Sequence, residues 1–395
     1  MLLPKTNSYH QGNDEIKCIF VCNEVLPSPR GGIGSYTINL ASALHSKGIE
    51  VYVIGLYETS YEHQYPFPII TVKPTKISLE KHIYFSEGIE SFVNRYKLYK
   101  QILNLTNTNQ GLWIVEWPDY LGLWFRNNPN AIEIHKIHGA YFLQPYPGIP
   151  NWTTLWEGRQ FQRLNNWSSV SNYYSNWVKE KLLDDTHKVF TSYIPVNTSF
   201  FKPNNLAKSD YFQIIFCGNG NTRKHPETVI KAFEKLHDYH KNVRLIFVGS
   251  VITKEQELRN MVQCQTNITF VGHKEPQQVA QLLNESSILC LPSEHESFGI
   301  AWVEAMSCGI PVIAGIGSCE EEIITSEGGF FVNPLSFDDL FEVLKLLINN
   351  NQLLLAKGYA ARKIVEGCYS YDVVAKNVLE YYEELWDRRL NEPTY

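Results

Sequence analysis

Glu296 and Glu304 stand eight positions apart in PSEHESFGIAWVEAMSCGIPVIA (residues 292–314), with Gly299 between them. Carboxylates in such an arrangement can accept hydrogen bonds from hydroxyl groups. ILCLP, ending at Pro292, reads as a short buried strand, and Ser293 to Ser297 as a loop at its carboxyl end. Gly299 lets the backbone approach a ligand closely, and Ile300 to Met306 has the composition of a helix whose first amides lack internal partners. Free amides at the positive end of a helix suit a diphosphate. With the helix starting near Phe298, Glu304 lies roughly two turns beyond Glu296, so that one carboxylate suits a sugar ring and the other a ribose. CGIPVIAG adds a second turn and strand, and adjacent strand ends are where open parallel sheets bind ligands. The block points to a nucleotide-sugar site rather than to two solvated glutamates flanking a core helix.

Other turns after strands carry further candidates. In SPRGGIGSY (28–36), Gly31 and Gly32 can bring amides against a phosphate or sugar. A plain tight turn is one rival; a dinucleotide fingerprint is another, but the third glycine of G-x-G-x-x-G is missing. FCGNGNTRKHPETVIKAF (216–233) sets Asn219, Arg223 and Lys224 in a loop directly after a buried strand, which favours an anion-facing role over a solvated basic turn. His138 in IHGAYF (137–142) ends a strand, where a lone histidine reads first as a hydrogen-bonded structural residue. In VEWPDY (115–120), Glu116 and Asp119 could bind acceptor hydroxyls while Trp117 and Tyr120 stack on a sugar; a packed loop explains them equally well. Gly272 and His273, in FVGHKEP (270–276), end a strand on which a nucleotide base could rest.

The elements that must position these residues alternate between strand and helix, which implies parallel sheets. IKCIFVCN (16–23), SYTINLASALHSKG (35–48) and EVYVIGLY (50–57) read as strand, helix and strand; LWIVEW, IEIHKIHG, WSSVSN and HKVFTSYIP supply later strands. The periodicity breaks at Pro195, and VNTSFFKPNNLAKSD reads as a linker. A second series follows: FQIIFCG, VRLIFVG, ITFVG, ILCLP and IPVIAG. The expected architecture is α/β, with two Rossmann-like doubly wound domains, 1–195 and 205–370, facing each other across a cleft. The stretch from Tyr369 to Leu390 is amphipathic. Residues 77–105 are aromatic and basic, with Tyr96, Tyr99 and Leu103 on one helical face and Arg95, Lys97 and Lys100 around it. Such a face suits an anionic membrane and equally an ordinary core helix.

Composition narrows the function class. A chain of 395 residues with 44% hydrophobic and 19% charged content is long enough for two cores. A net charge of −6 argues against nucleic acid as a partner. Residues 1–195 hold 17 basic against 16 acidic side chains, the remainder 18 against 25, so an anionic surface would meet the first half more readily. No apolar run reaches membrane-spanning length, and the start lacks a cleavable signal pattern, so the expectation is a cytoplasmic protein. The eight cysteines are scattered without a C-x-x-C pair and read as reduced core residues. No Asp-x-Asp is present, and basic residues with helix amides can replace a divalent cation at phosphates, so neither a metal nor another cofactor is expected.

Glu296, seven residues, Glu304 and the following EAMSCGIPV resemble the retaining glycosyltransferases of family 4, which have the two-domain GT-B fold, and the likeness covers nearly the whole chain. The resemblance implies that Glu296 contacts the donor sugar, that the turn Phe298, Gly299, Ile300 and Ala301 binds the diphosphate, and that Glu304 binds the ribose. It implies a cleft histidine at His138, a phosphate-proximal loop at Gly31 and Gly32, and a return of the C-terminal helix (371–395) to the first domain. The family's Gly-Arg…Lys-Gly pattern survives as Gly218 and Lys224, with Asn219 in place of the Arg and His225 in place of the Gly. Arg223 is the candidate substitute for the missing guanidinium.

The implied chemistry is transfer of a sugar from a UDP- or GDP-sugar to a glycan or lipid-linked acceptor. Lys224 and Arg223 would stabilise the leaving diphosphate, and Glu296 and His138 would position the sugar, with no covalent nucleophile. Two alternatives stay open: a GT-B sugar-nucleotide 2-epimerase, and a catalytically silent sugar-nucleotide-binding protein, to which Asn219 is the one pointer.

Overall fold

A computed structural model describes residues 16–25, 31–59, 65–77, 83–108, 111–139, 151–182, 186, 188–204, 210–218, 222–250, 255–262 and 267–391. The chain divides into two compact units. The first comprises Met1–Val170, Ser175–Ser192 and Ala375–Tyr395; the second comprises Ser171–Tyr174 and Tyr193–Val374.

Strands of the first unit are β1 (Ile16–Val21), β2 (Glu50–Leu56), β3 (Ile69–Val72), β4 (Leu112–Pro118), β5 (Ala131–Ile137), β6 (Asn166–Ser169) and β7 (Val189–Thr191). They pair in the order β3-β2-β1-β4-β5-β6-β7, all parallel. Every residue of β4 and β5 is buried, as expected for central parallel strands covered on both faces. Trp113, Trp117, Ile19, Val115 and Leu98 form part of the core on one side. The strand order reverses between β1 and β4, which is where an open sheet of this kind opens a crevice at its carboxyl edge.

The second unit contains β8 (Phe212–Cys217), β9 (Val243–Val248), β10 (Ile268–Gly272), β11 (Ile288–Leu291), β12 (Val312–Gly315) and β13 (Gly329–Val332), in the parallel order β10-β9-β8-β11-β12-β13. Its reversal lies between β8 and β11. The loops leaving those two strands are the ones that carry Lys224 and Glu296.

Three sequence readings need correction. The expected linker is packed: Phe201 is buried, and its carbonyl accepts from Ser307 Oγ at 2.5 Å and from Arg362 at 2.9 Å. Only residues 205–209 of that stretch lie outside the described residues. On the helix Ile83–Thr108, Tyr99 and Arg95 are buried, the guanidinium donating to Gly122 O at 2.6 Å, so the face proposed from Tyr96, Tyr99 and Leu103 is not the exposed one. Ile89, Phe92 and Tyr96 form the exposed stripe instead. β3, only four residues long and set between Pro68 and Pro74, was not expected.

The last long helix, Tyr371–Asn391, contributes Ala375 onward to the first unit. There Tyr381 stacks on Phe190 at 4.1 Å and Arg389 donates to Pro129 O at 2.6 Å.

Candidate functional site

In the second unit, Gly299 caps the helix Ile300–Ser307 with φ +80°, a left-handed conformation that favours glycine. A Cβ there would lie 2.2 Å from the indole of Trp302, so the turn tolerates no side chain. The Gly299 carbonyl accepts from Trp302 N and Val303 N at 2.9 and 3.3 Å, while the amides of Ile300 and Ala301 find no acceptor among the described residues. Phe298, 1% exposed, anchors the turn from below.

Glu304 projects from the next turn of that helix. The residue is partly exposed and its carboxylate accepts no hydrogen bond among the described residues; desolvation by the protein packed around it pushes the carboxyl up to about 7. Glu296 pairs with Lys224, which comes from the 3-10 turn Thr222–Lys224 after β8; the two side chains are 17% and 24% exposed. One backbone and one side-chain contact join the same two loops: Glu294 N donates to Arg223 O at 2.8 Å, and His225 Nε2 lies 3.2 Å from Glu294 Oε2. The half-buried Arg223 therefore shares a turn with Lys224. Asn219 lies outside the described residues. Gly272 closes β10 with φ +70° and its carbonyl accepts from Gly249 N at 2.8 Å; His273 beside it is exposed.

The first unit treats its polar residues differently. His138 is 9% exposed and meets the Tyr36 ring edge-on at 4.7 Å. Burial, with help from the Lys136 charge and His135, holds its imidazole well below the usual range, so the ring is neutral. Tyr36 donates to Glu116 Oε1 at 2.7 Å, and Lys136 Nζ sits 4.6 Å over the Tyr36 ring while donating to Ser192 O at 2.9 Å and Ser168 Oγ at 3.2 Å. Asp119 Oδ2 accepts from the amides of both His138 and Gly139 at 2.9 Å.

These contacts correct two readings. Glu116 and Asp119 are 5% and 0% exposed and engaged inside the unit, which assigns them to holding the strand ends rather than to acceptor hydroxyls; Trp117, also fully buried, donates to Glu133. Glu24, which pattern reading passed over, occupies the place expected for an anion beside Gly31 and Gly32. Gly34 N donates to Glu24 Oε2 at 3.2 Å, and a Cβ on Gly31 would lie 2.2 Å from that oxygen. Burial raises the Glu24 carboxyl above its ordinary value, and the amides of Gly34, Ile33 and Gly31 oppose the shift. Tyr36 and Lys136 were also missed. A lysine within the apolar run IEIHKIHG was the available signal, because a buried cation needs partners.

Residues 197–364 match the family model described as Glycosyl transferases group 1. An uncharacterized glycosyltransferase of Methanocaldococcus jannaschii is 27% identical over 370 residues, 90% of this chain and 95% of that protein. A GDP-mannose-dependent monoacylated alpha-(1-6)-phosphatidylinositol monomannoside mannosyltransferase of Corynebacterium glutamicum is 28% identical over 199 residues, 48% of this chain and about half (52%) of that one. In fold, the chain is similar to Anabaena HepE in complex with UDP and glucose, with TM-score 0.68 and 14% identity over 93% of this chain and 99% of that one. The two parallel-sheet, Rossmann-like units have the GT-B fold. Together the matches support a glycosyltransferase of group 1.

Proposed function

We propose that the protein is a retaining glycosyltransferase of family 4 that moves a hexose from a UDP- or GDP-sugar to a glycan or lipid-linked acceptor in polysaccharide or glycoconjugate synthesis. The observation that carries this reading is the set of unengaged groups around one turn: the amides of Ile300 and Ala301, and the carboxylate of Glu304. The diphosphate would take the amides and the ribose would take Glu304. Lys224, with Arg223 in the same turn, would meet the charge that grows on the leaving diphosphate, and Glu296 would turn to the sugar when the phosphate draws Lys224 away. Gly272 and His273 are assigned to the base, and the neutral ring of His138 to the donor sugar. Cations and helix amides fill the role that a divalent metal has in other transferases, so EDTA should leave the rate intact.

A cytoplasmic protein touching the inner face of a membrane fits the first unit. Ile89, Phe92, Tyr96, Trp152 and Leu155 are exposed; Lys97, Lys100 and Arg159 lie on the same two helices and Arg126 lies over the Tyr99 ring, against Glu87 and Glu90. Such a mixture suits an anionic lipid surface, which would also present a lipid-linked acceptor. Among the described residues no helix is long and apolar enough to cross a membrane.

The test is nucleotide release from UDP- and GDP-sugars with and without candidate acceptors. Release that depends on an acceptor and fails in Glu296→Ala supports the proposal. Tight donor binding without turnover would favour a silent binding protein, and interconversion of donor epimers would favour the epimerase.

A further inference from the structure

Four hydrogen bonds converge on the carboxylate of Glu322, in the second unit. Asn172 N (2.8 Å), Asn172 Nδ2 (3.0 Å) and Tyr193 Oη (3.0 Å) donate to Oε1, and Tyr173 N (2.8 Å) donates to Oε2. Asn172 and Tyr173 open the helix Asn172–Leu182, so this carboxylate satisfies the first two amides of that helix. The third is satisfied by Ser171 Oγ, which accepts from Tyr174 N at 3.1 Å. Ser171 is fully buried, and its hydroxyl proton goes to Ser297 O at 2.6 Å.

Ser297 and Phe298 lead directly into the Gly299 turn. Phe298 is held by the same group of residues: its ring meets Tyr369 edge-on at 5.5 Å and lies 6.2 Å from Tyr193, whose hydroxyl is the one bound to Glu322. Tyr369 Oη in turn donates toward Glu322 O and Ile323 O at 3.3 and 3.2 Å. One helix cap thus fixes both the carbonyl and the ring that precede Gly299.

We infer that Ser171 and Glu322 are positioning residues for the turn Ser297 to Ala301, acting through Ser297 O and Phe298 on the amides that receive the donor diphosphate. This rests on the function proposed above only for the identity of the ligand; the coupling of cap to turn stands by itself. An ordinary cap would stabilise its own helix and leave a remote turn unchanged.

The test compares two serine caps in the second unit. Ser171→Ala removes the hydroxyl that bridges to Ser297, whereas Ser336→Ala removes the hydroxyl that caps the helix Phe337–Ile348 through Asp339 N at 3.1 Å. Hydrogen exchange at the amides of Trp302 and Val303, which donate to Gly299 O, should quicken roughly tenfold in Ser171→Ala, the equivalent of one lost hydrogen bond, and stay unchanged in Ser336→Ala. Donor KM should rise by a similar factor in Ser171→Ala alone, with kcat changing less. Unchanged exchange at Trp302 and Val303 in Ser171→Ala, or equal acceleration in both variants, overturns the inference. Should Ser171→Ala not fold, Glu322→Gln, which keeps shape and one acceptor oxygen, takes its place in the exchange experiment: faster exchange at Trp302 and Val303 supports the coupling, and unchanged exchange overturns it. If the wild type turns over no nucleotide sugar, the proposed function fails while the exchange result still decides the coupling.

Discussion

The carboxyl edges of the two sheets hold similar residues in opposite states. In the first unit Lys136, Glu116, Asp119 and Tyr36 are buried and engaged with one another and with strand ends. In the second, Lys224 and Glu296 are partly exposed, and Glu304 keeps an unengaged carboxylate. A buried charge is tolerated only with its partners in place, so the first cluster is scaffold. A half-exposed acceptor beside unpaired helix amides is tolerated because solvent serves it, and a ligand can take the solvent's place. Sequence reading treated both edges as binding surface; burial separates them.

The largest effect should follow from breaking the scaffold. Lys136→Ala leaves Glu116 buried without the cation that offsets its desolvation, and a loss of about 3–5 kcal/mol in unfolding free energy is expected from denaturant titration. A loss below about 1 kcal/mol would mean that the first cluster is not scaffold.

Next comes the open pair. Lys224→Ala should lower kcat by roughly a hundredfold with little change in melting temperature, since the group acts on transition-state charge and its ion pair is partly exposed. A variant that melts early but retains its rate would reverse the assignment of the two regions.

A smaller effect concerns pH. The Glu304 carboxyl is raised from 4.5 to about 7, so the folded state binds its proton more tightly than the unfolded chain does. Its contribution to stability is complete below the unfolded value and is lost as pH rises through about 7. Glu304→Gln should therefore melt with the wild type at pH 4 and above it at pH 8; coincident melting curves at both pH values would contradict the raised pKa. Smallest of all, Gly32→Ala meets no atom within 4 Å, and its unfolding free energy should change by less than about 1 kcal/mol.

The alternation of strand and helix made both parallel sheets legible, because central parallel strands are continuous apolar runs. The Glu296–Glu304 block was legible for a local reason: strand, glycine turn and helix follow one another within a few residues. The Lys224–Glu296 pair was not, because it joins loops 72 residues apart that meet only through the strand order β8-β11. Glu24 escaped for a similar reason, as its carboxylate folds back onto amides ten residues later. Acceptor roles for Glu116 and Asp119 were inferred from their position at a strand end, where sequence does not reveal which polar side chains turn inward.

The central claim, that the second unit holds a nucleotide sugar through Glu304 and the turn after Gly299, is tested most directly by calorimetric titration of UDP and GDP into the wild type and Glu304→Ala. One of the two nucleotides should bind the wild type, and the substitution should weaken it by about 1–3 kcal/mol, the cost of one hydrogen bond to a charged group. Equal affinity in both proteins, or no binding of either nucleotide to the wild type, would contradict it.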